Sequence, residues 1–245
     1  MRQYERSQHH KFPEGFLVVV HLDGKGFSSF TEKNFEKPFD ERFHLLMVDT
    51  LSYITESGGI KCHLGYTQSD EISLFLDPYD STDGRREQKW YARFASTASS
   101  RFTNQSGFPV EFDCKFYVYP NLSLLVDHFR WRQSDGTRNA LTGWCYWSLR
   151  KSGKTARQSN SVLKKKGHAF KQEMLFTEFG INFNDLPGWQ KRGTAVYWET
   201  FNKIGVDPRN GNETFSQRRR LVVDQDLPIG DAYATYLEKR LSQVI

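Results

Sequence analysis

The segment FLVVVHLDGKGF, residues 16–27, runs a buried strand directly into a charged glycine turn. Residues 16–22 are apolar almost without interruption and rich in β-branched side chains, which predicts a strand buried on both faces. Asp23-Gly24-Lys25-Gly26 stops it abruptly, so a carboxylate and two glycines stand at the strand's end. A loop is expected next, then a helix with Asp40 as its N-cap. Phe43, Leu46, Met47, Leu51 and Ile54 recur at helical spacing, and Gly58-Gly59 ends the pattern.

Working outward, residues 61–66 and 72–76 read as strands, with the polar Thr67-Gln68-Ser69-Asp70-Glu71 between them as a hairpin turn. A polar loop covers 78–88. Trp90, Phe94, Ala98 and Phe102 mark a second helix, Phe112, Cys114, Phe116 and Val118 alternate as in a strand, and Leu122, Leu125, Val126 and Phe129 mark a third helix. The order β-α-β-β-α-β followed by α predicts an α+β fold: a ferredoxin-like antiparallel sheet with helices on one face, as in polymerase palms and cyclases. From about residue 135 the pattern changes. Residues 141–149 are helical, 159–171 are polar, and 196–201 and 220–223 are strand-like. Residues 1–135 are thus expected to form a palm catalytic domain, and 136–245 a C-terminal α/β appendage packed on it.

The 245 residues suffice for a sizeable core, and 20 Phe supply volume that a hydrophobic fraction of 38% otherwise lacks. A net charge of +5 suits an anionic partner without requiring one. Three cysteines, Cys62, Cys114 and Cys145, form no CxxC pair, so neither a disulfide framework nor a structural zinc site is expected. No apolar run is long enough for a membrane span, and the polar residues 1–11 hold no signal-peptide core. No membrane partner and a cytoplasmic location are the expectations.

In a β-α-β-β-α-β sheet the first and third strands are neighbours, so Asp23 and the Asp70-Glu71 pair can meet at one sheet edge. Clustered carboxylates raise one another's pKa unless a cation neutralises them. Mg²⁺ takes carboxylate, phosphate and water oxygens, and two such ions can activate an attacking oxygen and stabilise a leaving one. Gly24 and Gly26 would let backbone N–H groups approach a triphosphate closely. No GxxxxGK[ST] motif is present.

Four segments resemble the tRNA(His) guanylyltransferase family: LDGKGFSSFTEKNFEKPFD at 22–40, YTQSDEIS at 66–73, WRQSD at 131–135 and KQEMLFTEFGINFN at 171–184. The resemblance implies 3′-to-5′ nucleotide addition at a tRNA 5′ end, with two Mg²⁺ ions and with ATP and GTP as substrates. The 5′-monophosphate is first activated with ATP, or a 5′-triphosphate is used directly, and the 3′-hydroxyl of an incoming NTP attacks the activated phosphate. By the same resemblance Asp23, Asp70 and the Gly24 carbonyl bind metal, and Glu71 is the neighbouring catalytic acid. Asp23, Gly24, Lys25, Gly26, Phe27, Ser28, Ser69 and Asp70 contact nucleotide, as does Asn139. Lys37 neutralises phosphate charge, and Lys171 and Asn182 serve the activation step. A homo-tetramer is implied.

The chain also departs from that pattern. Where eukaryotic members carry His-Ile-Asn-Asn after the WRQ motif, this chain has Thr137-Arg138-Asn139-Ala140, so Thr137 replaces the imidazole, and His21 stands where Arg is frequent. A threonine cannot act as a base or a cation. The departure resembles Thg1-like proteins, which repair 5′-truncated tRNAs by templated addition. The alternatives are a dedicated tRNA(His) guanylyltransferase, a nucleotide cyclase-type palm enzyme and a non-catalytic RNA-binding palm. Arg85-Arg86, Lys164-Lys165-Lys166 and Arg218-Arg219-Arg220 are candidate phosphate contacts, and Trp131, Trp144 and Trp147 are candidate stacking surfaces.

Overall fold

The computed structural model describes residues 10–206, 209, 212–242 and 244. Most of the polar N-terminal stretch at 1–11 lies outside the described residues. The fold is α+β. Strands β1 (Leu17–Gly24), β2 (Cys62–Gln68), β3 (Glu71–Leu76), β4 (Phe112–Tyr119), β5 (Thr194–Val206) and β6 (Glu213–Asp224) form one six-stranded sheet in the order β4-β1-β3-β2-β5-β6. Each neighbouring pair is antiparallel.

Helices cover both faces of this sheet, not one as expected, and β1 shows why. Val18, Val20 and Leu22 point to one side, into a core shared with α2 (Glu41–Ser57) and α3 (Glu87–Ser106) through Met47, Leu51, Ile54, Trp90, Phe94 and Phe102. Leu17 and Val19 point to the other, against Leu125, Val126 and Phe129 of α4 (Leu122–Lys151) and Tyr233, Leu237 and Leu241 of a C-terminal helix at Gly230–Leu241. A strand apolar at every position needs a hydrophobic partner on each side. Asp40 caps α2, its carboxylate accepting the Arg42 backbone N–H at 2.8 Å.

Two elements differ from expectation. The loop after β1 contains a helix, α1 (Phe27–Asn34), started by Gly26 at φ +73° and anchored by buried Phe27 and Thr31. The change of pattern near 135 is not a break in the chain's course, because α4 runs for 30 residues straight through it. What changes is the helix's neighbours. Its first half lies on the sheet, whereas Ala140, Leu141, Cys145 and Leu149 pack against α5 (Ala156–Leu163) and α6 (His168–Phe179) in a separate cluster with Leu163, Met174 and Leu175. A short helix, α7 (Gly188–Arg192), leads into β5, and the helix at Gly230–Leu241 is α8. The C-terminal part therefore shares the sheet as well as resting on it. β5 pairs with β2 over Thr194 to Tyr197 and then continues with β6 as an exposed two-stranded arm. Among the described residues no helix is long and apolar enough to cross a membrane. The three cysteines are free thiols.

Candidate active site

The register aligns a polar row across four strands. Gln68 stands opposite Glu71, Glu71 opposite Asp23, and Asp23 opposite Asp113. Directly opposed residues of antiparallel strands share a face, so the end of β1 and the β2–β3 turn do meet at one sheet edge. The Gly24 N–H donates to the Asp70 carbonyl at 3.1 Å, closing the junction.

The DGKG turn has three separate duties. A Cβ on Gly24 would lie 2.4 Å from the ring of Phe27, so this glycine lets the buried Phe27 fold back onto the turn. Gly26 supplies the left-handed φ that begins α1. Exposed Lys25 reaches sideways to Glu111, 2.7 Å away, and Ser28 is also exposed.

Burial raises the pKa of the Asp70 carboxyl, and the charge of Asp23 adds to the shift, while the Ser69 hydroxyl (2.9 Å) and Lys37 oppose it. Ser69 itself is held at φ +55°. Burial also raises Glu71, but Arg132 counters it through a direct ion pair. Arg132 is buried, lies 4.6 Å from the Trp131 ring centroid and also faces Asp135 at 3.7 Å. Lys37 is half-buried, donates to Thr31 Oγ1 and lies 5.9 Å from the Trp147 ring centroid. Burial lowers its pKa against the pull of Asp70 and Glu32.

Ser69, Asp70, Glu71 and Arg132 line a cleft of about 180 Å³ with Gln68, Gly136, Asn139 and Trp147, and Asp23 is not in its lining. Lys37 lines a smaller adjoining pocket that shares Ser69 and Phe39. Among the described residues no group of three or more His, Cys, Asp or Glu is placed to hold a metal ion. With Glu71 committed to Arg132, the donor set is Asp23, Asp70 and backbone carbonyl oxygen. Two protein carboxylates plus carbonyl oxygen, open to solvent and substrate, fit Mg²⁺, which keeps waters and shares phosphate oxygens. Burial is the main cause of the upward shift of Asp70 and the charge of Asp23 adds to it, so a cation at this edge would relieve both carboxylates.

Other expected site residues lie elsewhere. Lys171, on α6, donates to Thr142 Oγ1 at 2.8 Å and lines a larger cleft of about 710 Å³ across α4, with Trp131, Arg138, His168 and Tyr233. Asn182 lines neither cleft. It caps a short 3₁₀ turn, accepting the Asn184 N–H (3.1 Å) and donating to Asp185 (2.8 Å). Thr137 donates to the carbonyls of Gln133 (2.9 Å) and Lys191 (2.6 Å), a tie between α4 and α7. Arg85 is not a phosphate contact: it is buried and donates to the carbonyls of Phe12, Pro13, Pro78 and Asp80. Lys164, Lys165 and Lys166 are exposed, as are Arg218, Arg219 and Arg220 on the arm. Arg132, Gln68 and Asp113 were not singled out as site residues by sequence. Arg132 and Gln68 do sit inside the WRQSD and YTQSDEIS segments, which was the available signal.

The chain is similar to known proteins along most of its length. Residues 1–120 match the family described as tRNAHis guanylyltransferase, and residues 123–226 match the Thg1 C terminal domain. The tRNA(His) guanylyltransferase of Schizosaccharomyces pombe is 35% identical over 204 residues, covering 79% of this chain and 77% of its own. That of Debaryomyces hansenii is 32% identical over 252 residues, covering 95% and 94%. The chain spans about two thirds of the Mus musculus relative's length. Among solved structures, the Saccharomyces cerevisiae enzyme superposes with a TM-score of 0.73 at 30% identity, covering 80% of this chain and 90% of its own. A bacterial Thg1-like protein in complex with ATP superposes with a TM-score of 0.75 at 27% identity, covering 97% and 96%. Fold, carboxylate edge and these likenesses define a nucleotidyltransferase. The chain belongs to the tRNA(His) guanylyltransferase (Thg1) family.

Proposed function

We propose that the chain is a Mg²⁺-dependent 3′-to-5′ nucleotidyltransferase that repairs 5′-truncated tRNAs by template-dependent addition on a ferredoxin-like palm. The carrying observation is the junction at which Gly24 is bonded to the Asp70 turn beside Asp23. Thr137, tied into the α4–α7 packing, offers no imidazole for selecting tRNA(His). ATP and GTP are the proposed substrates, in keeping with bacterial Thg1-like structures that hold each of them.

Asp23, Asp70 and the Gly24 carbonyl would hold two Mg²⁺ ions, which supply charge neutralisation at the phosphates and lower the pKa of an attacking hydroxyl. Lys37 faces the same edge and would pair with a phosphate oxygen of the bound NTP. Arg132 ion-pairs Glu71 and so opposes the upward pull of burial on its carboxyl, holding it on the strand position opposite Asp23. In the first step a tRNA 5′-phosphate oxygen attacks the α-phosphorus of ATP and pyrophosphate leaves. In the second, the NTP 3′-hydroxyl attacks the activated 5′-phosphorus, its proton passes to solvent, and AMP leaves. Asn139 and Trp147 wall the cleft in which the nucleotide would sit. Lys171, across α4, would serve the tRNA end rather than the same nucleotide, and Asn182 would act through the turn it caps. Assembly as a homo-tetramer goes with this reading and is testable by light scattering.

The test is a 5′-truncated tRNA incubated with NTPs and Mg²⁺. Extension that follows the opposite strand supports the proposal. Addition of a single G to tRNA(His) alone would favour a dedicated guanylyltransferase, and cyclic nucleotide formation without RNA would favour a cyclase.

A further inference from the structure

A glycine in the interior of a long helix is unfavourable relative to alanine, and Gly136 of α4 has no positive φ to excuse it. The reason lies in the β2–β3 turn. A Cβ on Gly136 would fall 2.0 Å from Gln68 Oε1 and 2.6 Å from its Cδ. Gln68 is the last residue of β2, directly before Ser69-Asp70, and it is buried. Its amide cannot swing aside without loss. Oε1 accepts from the Tyr66 hydroxyl at 2.6 Å, and Nε2 donates to the Gln190 carbonyl of α7 at 3.2 Å. Tyr66 is confined in turn, since a Cβ on Gly193 would lie 2.6 Å from its ring.

We propose that Gln68 is a positioning residue. Its amide, clamped between Gly136, Tyr66 and Gln190, holds the turn in which Ser69 adopts its left-handed backbone, and so directs the Asp70 carboxylate at the edge it shares with Asp23. Gln68 touches no reacting atom in this account; it acts through Asp70. The inference rests on the reading of Asp23 and Asp70 as the cation-binding edge.

The test is Gly136→Ala, alone and combined with Gln68→Ala. Alanine suits the helix, so circular dichroism should stay near wild type and the helical gain should offset part of the hydrogen bonding that the displaced Gln68 gives up, while the turn is disturbed. Mn²⁺ titration followed by electron paramagnetic resonance should show affinity weakened roughly tenfold or more, the scale of one lost charge-assisted contact. In the nucleotide-addition assay kcat should fall with the KM for tRNA unchanged. In the Gln68→Ala background, where the clash is gone, Gly136→Ala should add nothing further. Mn²⁺ affinity unchanged in Gly136→Ala, or an equal loss in both backgrounds, would overturn the proposal. Should Gly136→Ala fail to fold, Gln68→Ala alone must weaken Mn²⁺ binding for the proposal to stand. The Mn²⁺ readout needs no tRNA: a wild type that binds Mn²⁺ in this Gly136-dependent way but extends no tRNA would remove the proposed function and leave the positioning role.

Discussion

Gly24 donates its backbone N–H to the carbonyl of Asp70 at 3.1 Å. That bond stitches the end of β1 to the β2–β3 turn and brings two carboxylates, far apart in the chain, to one edge. Its energetic consequence is visible in Asp70, whose pKa is raised by burial and by Asp23.

The pair Glu71–Arg132 gives the first prediction. Truncating Arg132 leaves a largely buried carboxylate without its cation. Because Glu71 keeps about a third of its side chain exposed, solvent would relieve part of that cost, and Arg132→Ala should destabilise the fold by about 1–3 kcal/mol. Adding Glu71→Gln should restore much of the loss. Urea denaturation of the single and double variants checks both statements, and additive losses would contradict the pairing.

Lys37 carries the second. Losing a charge-assisted contact of about 1.5–3 kcal/mol corresponds to a rise in the NTP KM of roughly ten- to a hundredfold. Lys37→Met should show that rise with little change in the urea midpoint. An unchanged KM would remove Lys37 from the nucleotide's neighbourhood.

Thr137 carries the third. Thr137→Val deletes the donor to the Lys191 carbonyl and should cost about 1 kcal/mol, read in a urea titration. Preference among tRNA substrates should not move, since the hydroxyl is engaged by backbone. A changed preference would show that Thr137 contacts RNA.

Buried histidines give a pH prediction. Burial lowers the pKa of His44 to about 4. Burial, then the charges of His21 and Arg132, lowers His128 to about 3. Both are depressed below the unfolded value of 6.5, so below that pH the unfolded chain binds more protons than the folded one and stability falls as the solution is acidified. The loss should begin near pH 6.5 and continue to about pH 4 for His44 and pH 3 for His128. At about 1.4 kcal/mol per pH interval spanned, each amounts to a few kcal/mol. Unfolding free energies measured from pH 7 to pH 4 should decline, and His44→Gln should flatten the slope.

The hydrophobic alternation and the glycine stops were strong enough to place β1 to β4, α2, α3 and the Asp40 cap from sequence. The doubly buried character of β1 already implied cover on both faces, yet α8, whose three inward residues are spaced over a short amphipathic helix, did not stand out as the second cover. α4 was divided because Gly136 and a change of packing partner interrupt its apolar stripe, although the backbone continues. α1 was hidden behind glycines that usually signal a loop, and it exists because Phe27 and Thr31 are buried. At the site, Asp23 and Asp70 drew attention as carboxylates at a strand end and a hairpin turn, whereas Lys37 was reached only through the family resemblance of its segment. Gln68 was not legible, because its role depends on an amide wedged against a glycine many positions away, which no local pattern encodes.

The most direct test of the central claim is addition to a 5′-truncated tRNA, with NTPs and Mg²⁺, by the wild type and Asp23→Ala side by side. Template-matched 5′ extension by the wild type and none by Asp23→Ala is the predicted result. Extension retained in Asp23→Ala, or absent from the wild type with both 5′-monophosphate and 5′-triphosphate ends, would contradict it.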